Sequence, residues 1–129
     1  MKEKILETVE NWHNALNAKD KNHLAGLVKE DVKMVGPKGD VKGKNIMLDW
    51  VDRANITLTP KRYFLLDNTV IVEETAVWHE AETGKESNTA IVASVFVLEN
   101  GLITSIHRHD SLHKAFESTG LNEKNLITK

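Results

Sequence analysis

The sequence predicts an α+β fold, with amphipathic helices up to about residue 54 and an antiparallel sheet beyond it. Three observations carry this. Apolar residues recur at helical spacing in the first part. Runs rich in β-branched and aromatic residues fill the second part, and short turn signals separate those runs.

Ile5, Val9, Trp12 and Leu16 fall at i, i+4, i+7 and i+11, one face of a first helix, with Leu6 and His13 at its margin. Asp20 is the expected N-cap of a short second helix through Leu24, Leu27 and Val28. VKMV reads as a short strand stopped by Gly36 and Pro37, and a loop with Gly39, Asp40 and Gly43 follows. In NIMLDWVDRA the apolar positions Ile46, Met47, Trp50, Val51 and Ala54 keep helical spacing, giving a third helix. ITLTPKRYFLL, TVIVEETAVWHE, SNTAIVASVFVLE and LITSIHRHD are four strands, parted by Asp67-Asn68, Thr83-Gly84 and Asn100-Gly101. Asn-Gly is the strongest of these signals, since a type I′ turn needs positive φ at both central residues. Pro60 is expected near a strand start or on an edge, where its missing N–H costs little. The tail from about residue 114 to 129 is polar and is expected to be only partly ordered.

A chain of 129 residues with 40% apolar content is long enough for a real core, and one domain over residues 1–129 is expected. The formal charge is -2 and basic residues are dispersed, which argues against nucleic acid as the partner. The absence of cysteine excludes disulfides, thiolate catalysis and cysteine zinc sites, and it fits a reducing compartment. The N-terminus MKEKILETVE has no apolar signal-like core, and no run approaches membrane-spanning length. No membrane association and a cytoplasmic location are the expectation.

NWHNALNAKDKNHLAGLVKEDVKM, then GPKGDVKGKNIMLDWV, then hairpins ending in VFVLENGLITSIHRHDS, together resemble the nuclear transport factor 2-like superfamily, which includes SnoaL-like polyketide cyclases, ketosteroid isomerases and limonene epoxide hydrolase. The resemblance covers roughly residues 3 to 120. It implies a cone-like curved antiparallel or mixed sheet packed on three N-terminal helices, a pocket between them, and a homodimer formed through the outer sheet face. No cofactor is implied. Fold alone does not give the activity. Carried over by position, the isomerase tyrosine falls on Trp12, its base on about Gly36 and its oxyanion-holding aspartic acid on about Ala93. None is retained, so that mechanism is rejected.

The same resemblance sets the parity of the strands, and alternate residues share a face. Ile106, Arg108 and Asp110 are turned toward the pocket, with Ala76 and Trp78 on an earlier strand and Ile91, Ala93, Val95 and Val97 on the next. Trp12, Trp50 and Trp78 would then line one cavity, with Ile106 and Ala93 as further ligand contacts. The plainer alternative makes the tryptophans core residues. At the cavity's end, Asp110 is the candidate base and Arg108 its orienter or an anion clamp, in an Arg-x-Asp pair that resembles part of the limonene epoxide hydrolase set. A structural pairing at the strand end is the alternative. Asp52 and Arg53 follow Trp50 without a direction that the sequence fixes. His13, beside Trp12, is placed to reach the pocket mouth.

The opposite face of the last strand carries Ser105, His107 and His109. His-x-His with His113 four residues on imitates a cupin metal motif, yet the required glutamate and the second histidine strand are missing. No metal is expected, and the histidines are assigned to solvent or a dimer interface with Thr75, Val77, His79, Ser94 and Phe96. A small hydrophobic or cyclic compound as ligand, handled by acid–base chemistry of the isomerase, cyclase or hydrolase kind, is the first functional reading. A non-catalytic dimerisation or interaction domain is the second.

Overall fold

In the computed structural model, residues 2–36, 39–80 and 82–127 are described. Pro37, expected to end the first strand, and the last two residues of the tail lie outside them. The elements in chain order are α1 (Lys2–Ala18), α2 (Lys21–Leu27), β1 (Val28–Gly36), β2 (Gly39–Lys42), α3 (Lys44–Ala54), β3 (Ile56–Leu66), β4 (Thr69–His79), β5 (Glu86–Glu99), β6 (Leu102–His109), α4 (Leu112–Thr119), a 3-10 turn (Glu123–Asn125) and β7 (Leu126–Ile127). Seven strands form one curved mixed sheet in the order β2-β1-β6-β5-β4-β3-β7, with β1 parallel to β6 and every other pairing antiparallel. No described helix is long and apolar enough to cross a membrane.

The first three helices pack on the concave face. Val9, Trp12, Leu16, Leu24, Met47 and Val51 meet Leu58, Val72, Ala76, Phe96 and Ile106 in the main core. Asn17 fixes α1 to the sheet at two points, donating from Nδ2 to the Leu58 carbonyl and accepting from the Leu58 N–H, each at 2.9 Å. Asp20 caps α2 by accepting from the His23 N–H. Asn100 and Gly101 both take positive φ, 52° and 82°, as the tight β5–β6 turn requires. Pro60 sits where β3 is still the sheet edge, short of the β7 pairing at Tyr63 and Phe64, and a bulge lies between Pro60 and Arg62.

Four expectations need correction. Val28 leaves the second helix for β1, where it pairs with Ile103. The loop around Asp40 is a strand, β2, held against β1. The tail is ordered through Ile127: Leu112, Ala115 and Phe116 stand at i, i+3 and i+4, and with Leu121 they cover Phe64, Ile71, Ala93 and Val95 on the convex face. Ser111 caps the start of α4, Gly120 closes its end at φ 80°, and the Phe116 ring meets Phe64 edge-on at 5.1 Å.

The fourth correction concerns β5. Val97 pairs with Ser105 but Leu98 pairs with Ile103, so Thr104 is an extra residue in β6, its hydroxyl donating to the Val97 carbonyl at 3.1 Å. One extra residue inverts the facing of everything beyond it. Paired with Val70, Val72 and Glu74 of β4, the β5 residues Phe96, Ser94 and Val92 face the helices, while Ala93 and Val95 join the convex cluster under α4 and Ile91 lies exposed, and the bulge brings Ile106 and Arg108 to the face of Phe96 and Ser94.

Because α4 seals an apolar patch, Phe116→Ala is expected to lower stability by about 2 kcal/mol, below the usual cost for a fully buried ring because Phe116 is half-buried. Urea unfolding followed by far-ultraviolet circular dichroism reads the loss, and an unchanged midpoint would contradict the role given to α4.

Candidate functional site

A cavity of 470 Å³ lies between the concave sheet face, α1 and α3. Trp12 enters its wall from α1, Trp50 and Arg53 from α3, Leu58 from β3, Ser94 from β5, and Ile106 and Arg108 from β6. Met34, Val35 and Gly36 continue the wall along β1, and Val41 and Ile46, both exposed, mark the rim. Among the described residues the lining is apolar except for three side chains that bring polar groups other than indole: Ser94, Arg53 and Arg108. No carboxylate stands among the described lining residues. Among the described residues neither arginine has an acidic partner, and the Arg108 guanidinium lies over the Trp78 ring, 5.7 Å from its centroid.

Behind Ser94 runs a buried polar chain. The Ser94 hydroxyl donates to Glu74 Oε1, and Glu74 Oε2 stands 2.5 Å from His13 Nε2. His13 Nδ1 is 2.9 Å from the Val9 carbonyl, which can only accept, so Nδ1 carries a hydrogen and one proton lies between Nε2 and Oε2. Glu74 is 0% exposed and His13 1%. Two ionisable groups in such a place are expensive unless each satisfies the other, and here both carboxylate oxygens and both ring nitrogens are engaged. Trp12 packs edge-on against His13 at 5.2 Å and against Phe96 at 5.1 Å. Its indole Nε1–H is buried without a hydrogen-bond partner among the described residues, a state that ordinarily costs about 1–3 kcal/mol. Tyr63, half-buried against the same core, has its phenol pushed up to about 12 by burial and, secondarily, by Glu10 and Glu74.

A family model described as the SnoaL-like domain matches residues 9–106, most of the chain and every wall of this cavity except Arg108. The chain belongs to the SnoaL-like family. Solved structures share the fold of this SnoaL-like domain at low identity. An NTF2-like protein of unknown function from Cytophaga hutchinsonii is 20% identical, with a TM-score of 0.73 over 87% of this chain and 94% of that one. A Catenulispora acidiphila protein with a ketosteroid isomerase-like fold, in complex with trimethylamine, is 21% identical, with a TM-score of 0.70 over 95% and 98%. TerC, co-crystallised with polyporic acid, is 16% identical, with a TM-score of 0.71 over 89% and 96%. No curated protein matches the chain.

Of the residues expected in the pocket of the SnoaL-like domain, Trp12, Trp50, Ile106 and Arg108 line the cavity, and Arg53 joins them from α3. Trp78 is not part of the lining and stands instead on the other side of the Arg108 guanidinium. Asp110 lies beyond the end of β6, 87% exposed, with Lys114 Nζ at 3.7 Å, so it is no base for this cavity. Ala93 points away, under α4, on the face that its β4 partner Glu73 also takes. Its neighbour Ser94 takes the inward place, which moves the position compared above with the isomerase's oxyanion-holding acid by one residue. Asp52 turns out to meet Lys21 at 2.9 Å.

On the convex face His107 and His109 stack at 3.9 Å, and His109 lies within 3.2 Å of the Ser118 hydroxyl. Burial, then the His107 charge, hold the His109 imidazole below its ordinary value, so it favours the neutral form. His113 is exposed beside Glu117. No group of three or more metal-ligating side chains occurs among the described residues. His13 is in the core, not at the pocket mouth. Glu74 had a signal that parity makes visible: in TVIVEETAVWH it occupies the same face as Val70, Val72, Ala76 and Trp78.

Since the buried pair is mutually dependent, Glu74→Ala is expected to cost about 3–5 kcal/mol by stranding His13. Replacing both partners, His13→Leu with Glu74→Met, should restore at least about half of that loss. Urea denaturation of the two variants checks this, and equal losses in single and double variants would show that the pair is not what the residues depend on.

Proposed function

We propose that this SnoaL-like domain binds a flat or cyclic, largely hydrophobic small molecule bearing an anionic oxygen group, and performs acid–base chemistry on it of the isomerase, cyclase or hydrolase kind. The observation that carries the reading is Arg108: a half-buried arginine on an apolar wall, with no acidic partner among the described residues. A cation so placed loses hydration that an anion would best replace, and guanidinium suits a planar carboxylate or enolate. Trp12 and Trp50 supply flat apolar surface, and the volume is that of ordinary small-molecule sites. Among the fold neighbours one holds an acid and another an amine by their descriptions, and the two arginines here favour the acid.

The convex face supports a homodimer as part of the same proposal. Val77 and the exposed Ile91 share that face of β4 and β5, beyond the cover of α4, and an apolar sheet face left wet favours association. The lack of cysteine fits a cytoplasmic location.

Titration with 2-naphthoate is expected to quench tryptophan fluorescence, with Arg108→Ala weakening the affinity at least about tenfold and the uncharged 2-naphthalenemethanol binding more weakly than the acid. Equal affinity of acid and alcohol, or of wild type and variant, would remove the anion reading. In sedimentation velocity the wild type should run as a dimer and Ile91→Lys as a monomer, whereas a concentration-independent monomer in both would rule out the convex interface.

A further inference from the structure

We propose that Ser94, Glu74 and His13 form a proton relay that opens on the cavity through the Ser94 hydroxyl. Among the described residues the lining holds no free proton acceptor, since its ionisable members are two arginines. Among the described residues Ser94 is the one point where the cavity touches a carboxylate, through the bond from its Oγ to Glu74 Oε1. The relay is complete behind that point: Oε1 accepts from Ser94, and Oε2 and His13 Nε2 share one proton, while the Val9 carbonyl holds Nδ1–H in place. Apolar residues at positions 13, 74 and 94 would serve a mere core at less desolvation cost.

Ser94 also pairs across the strands with Arg108, so the relay's outlet and the guanidinium share one patch of wall. A proton acceptor beside a fixed cation, in apolar surroundings, suits a ligand with an acidic C–H next to a carbonyl. In the step that follows, the ligand's C–H bond breaks and its proton passes to Ser94 Oγ as the Ser94 proton passes to Glu74 Oε1. The electron pair of that bond moves into the adjacent carbonyl and forms an enolate, whose oxygen faces Arg108. The shared proton settles on His13 Nε2, leaving an imidazolium that offsets the enolate charge. Reprotonation at the same carbon, or at one conjugated with it, returns the proton by the same path, and no co-reactant is consumed.

The relay rests on the ligand reading above, and the test separates the two. The probe is 2-tetralone, a flat ketone with exchangeable α-hydrogens, followed in D2O by proton NMR at saturating ketone, with 2-naphthoate binding measured beside it by tryptophan quenching. The wild type is expected to exchange the α-hydrogens at least about tenfold faster than buffer, with Ser94→Ala and the isosteric Glu74→Gln each returning to within about twofold of buffer and Ser94→Thr keeping at least about a third of the wild-type rate. An undiminished rate in folded Ser94→Ala overturns the relay. Binding of 2-naphthoate without any acceleration of exchange also overturns it and leaves the binding reading standing, whereas a wild type that neither binds 2-naphthoate nor speeds exchange removes both.

Discussion

Thr104 is the extra residue that β6 carries opposite Val97, and the meeting of Ser94 with Arg108 on one face of the sheet depends on it. A tight turn at Asn100 and Gly101 with no bulge would set Val95 against Ile106 and Ala93 against Arg108. With Thr104 inserted, Phe96 faces Ile106 and Ser94 faces Arg108. That single displacement brings the Arg108 guanidinium beside the Ser94 hydroxyl on the concave side, where the pairing of β5 with β4 already sets Phe96 against Trp12 and turns Ala93 and Val95 under α4.

The remaining design follows from what the concave face must then accommodate. Glu74 in the middle of β4 meets His13 from α1 and Ser94 from β5, so three elements distant in sequence satisfy one buried carboxylate. The pair cross-links helix and sheet where Asn17 also clamps α1 to β3. Stability and the proposed chemistry therefore draw on the same residues: the group that makes the core polar is also the one the cavity reaches through Ser94.

Much of this was legible in the chain. Helical spacing through Val9, Trp12 and Leu16 placed α1, and Asn100-Gly101 placed the last hairpin, because each depends on local backbone preference. What stayed hidden depended on pairing between strands. A β-bulge leaves no turn residue to mark it, and its trace here is that Ile103 and Ile106, both inward, stand three apart instead of two. Asp110 was misplaced for a related reason, since parity extended past the strand's end assigns a face to a residue that has left the sheet. Polarity hides α4 in the tail, although Leu112, Ala115 and Phe116 have helical spacing.

Cross-strand nuclear Overhauser contacts measure the register most directly. A bulge at Thr104 predicts backbone contacts between Ser94 and Arg108 and between Phe96 and Ile106, with the Phe96 ring close to the Trp12 indole. Contacts of Ala93 with Arg108 and Val95 with Ile106 would show an unbulged hairpin and take Arg108 off the face that Ser94 occupies.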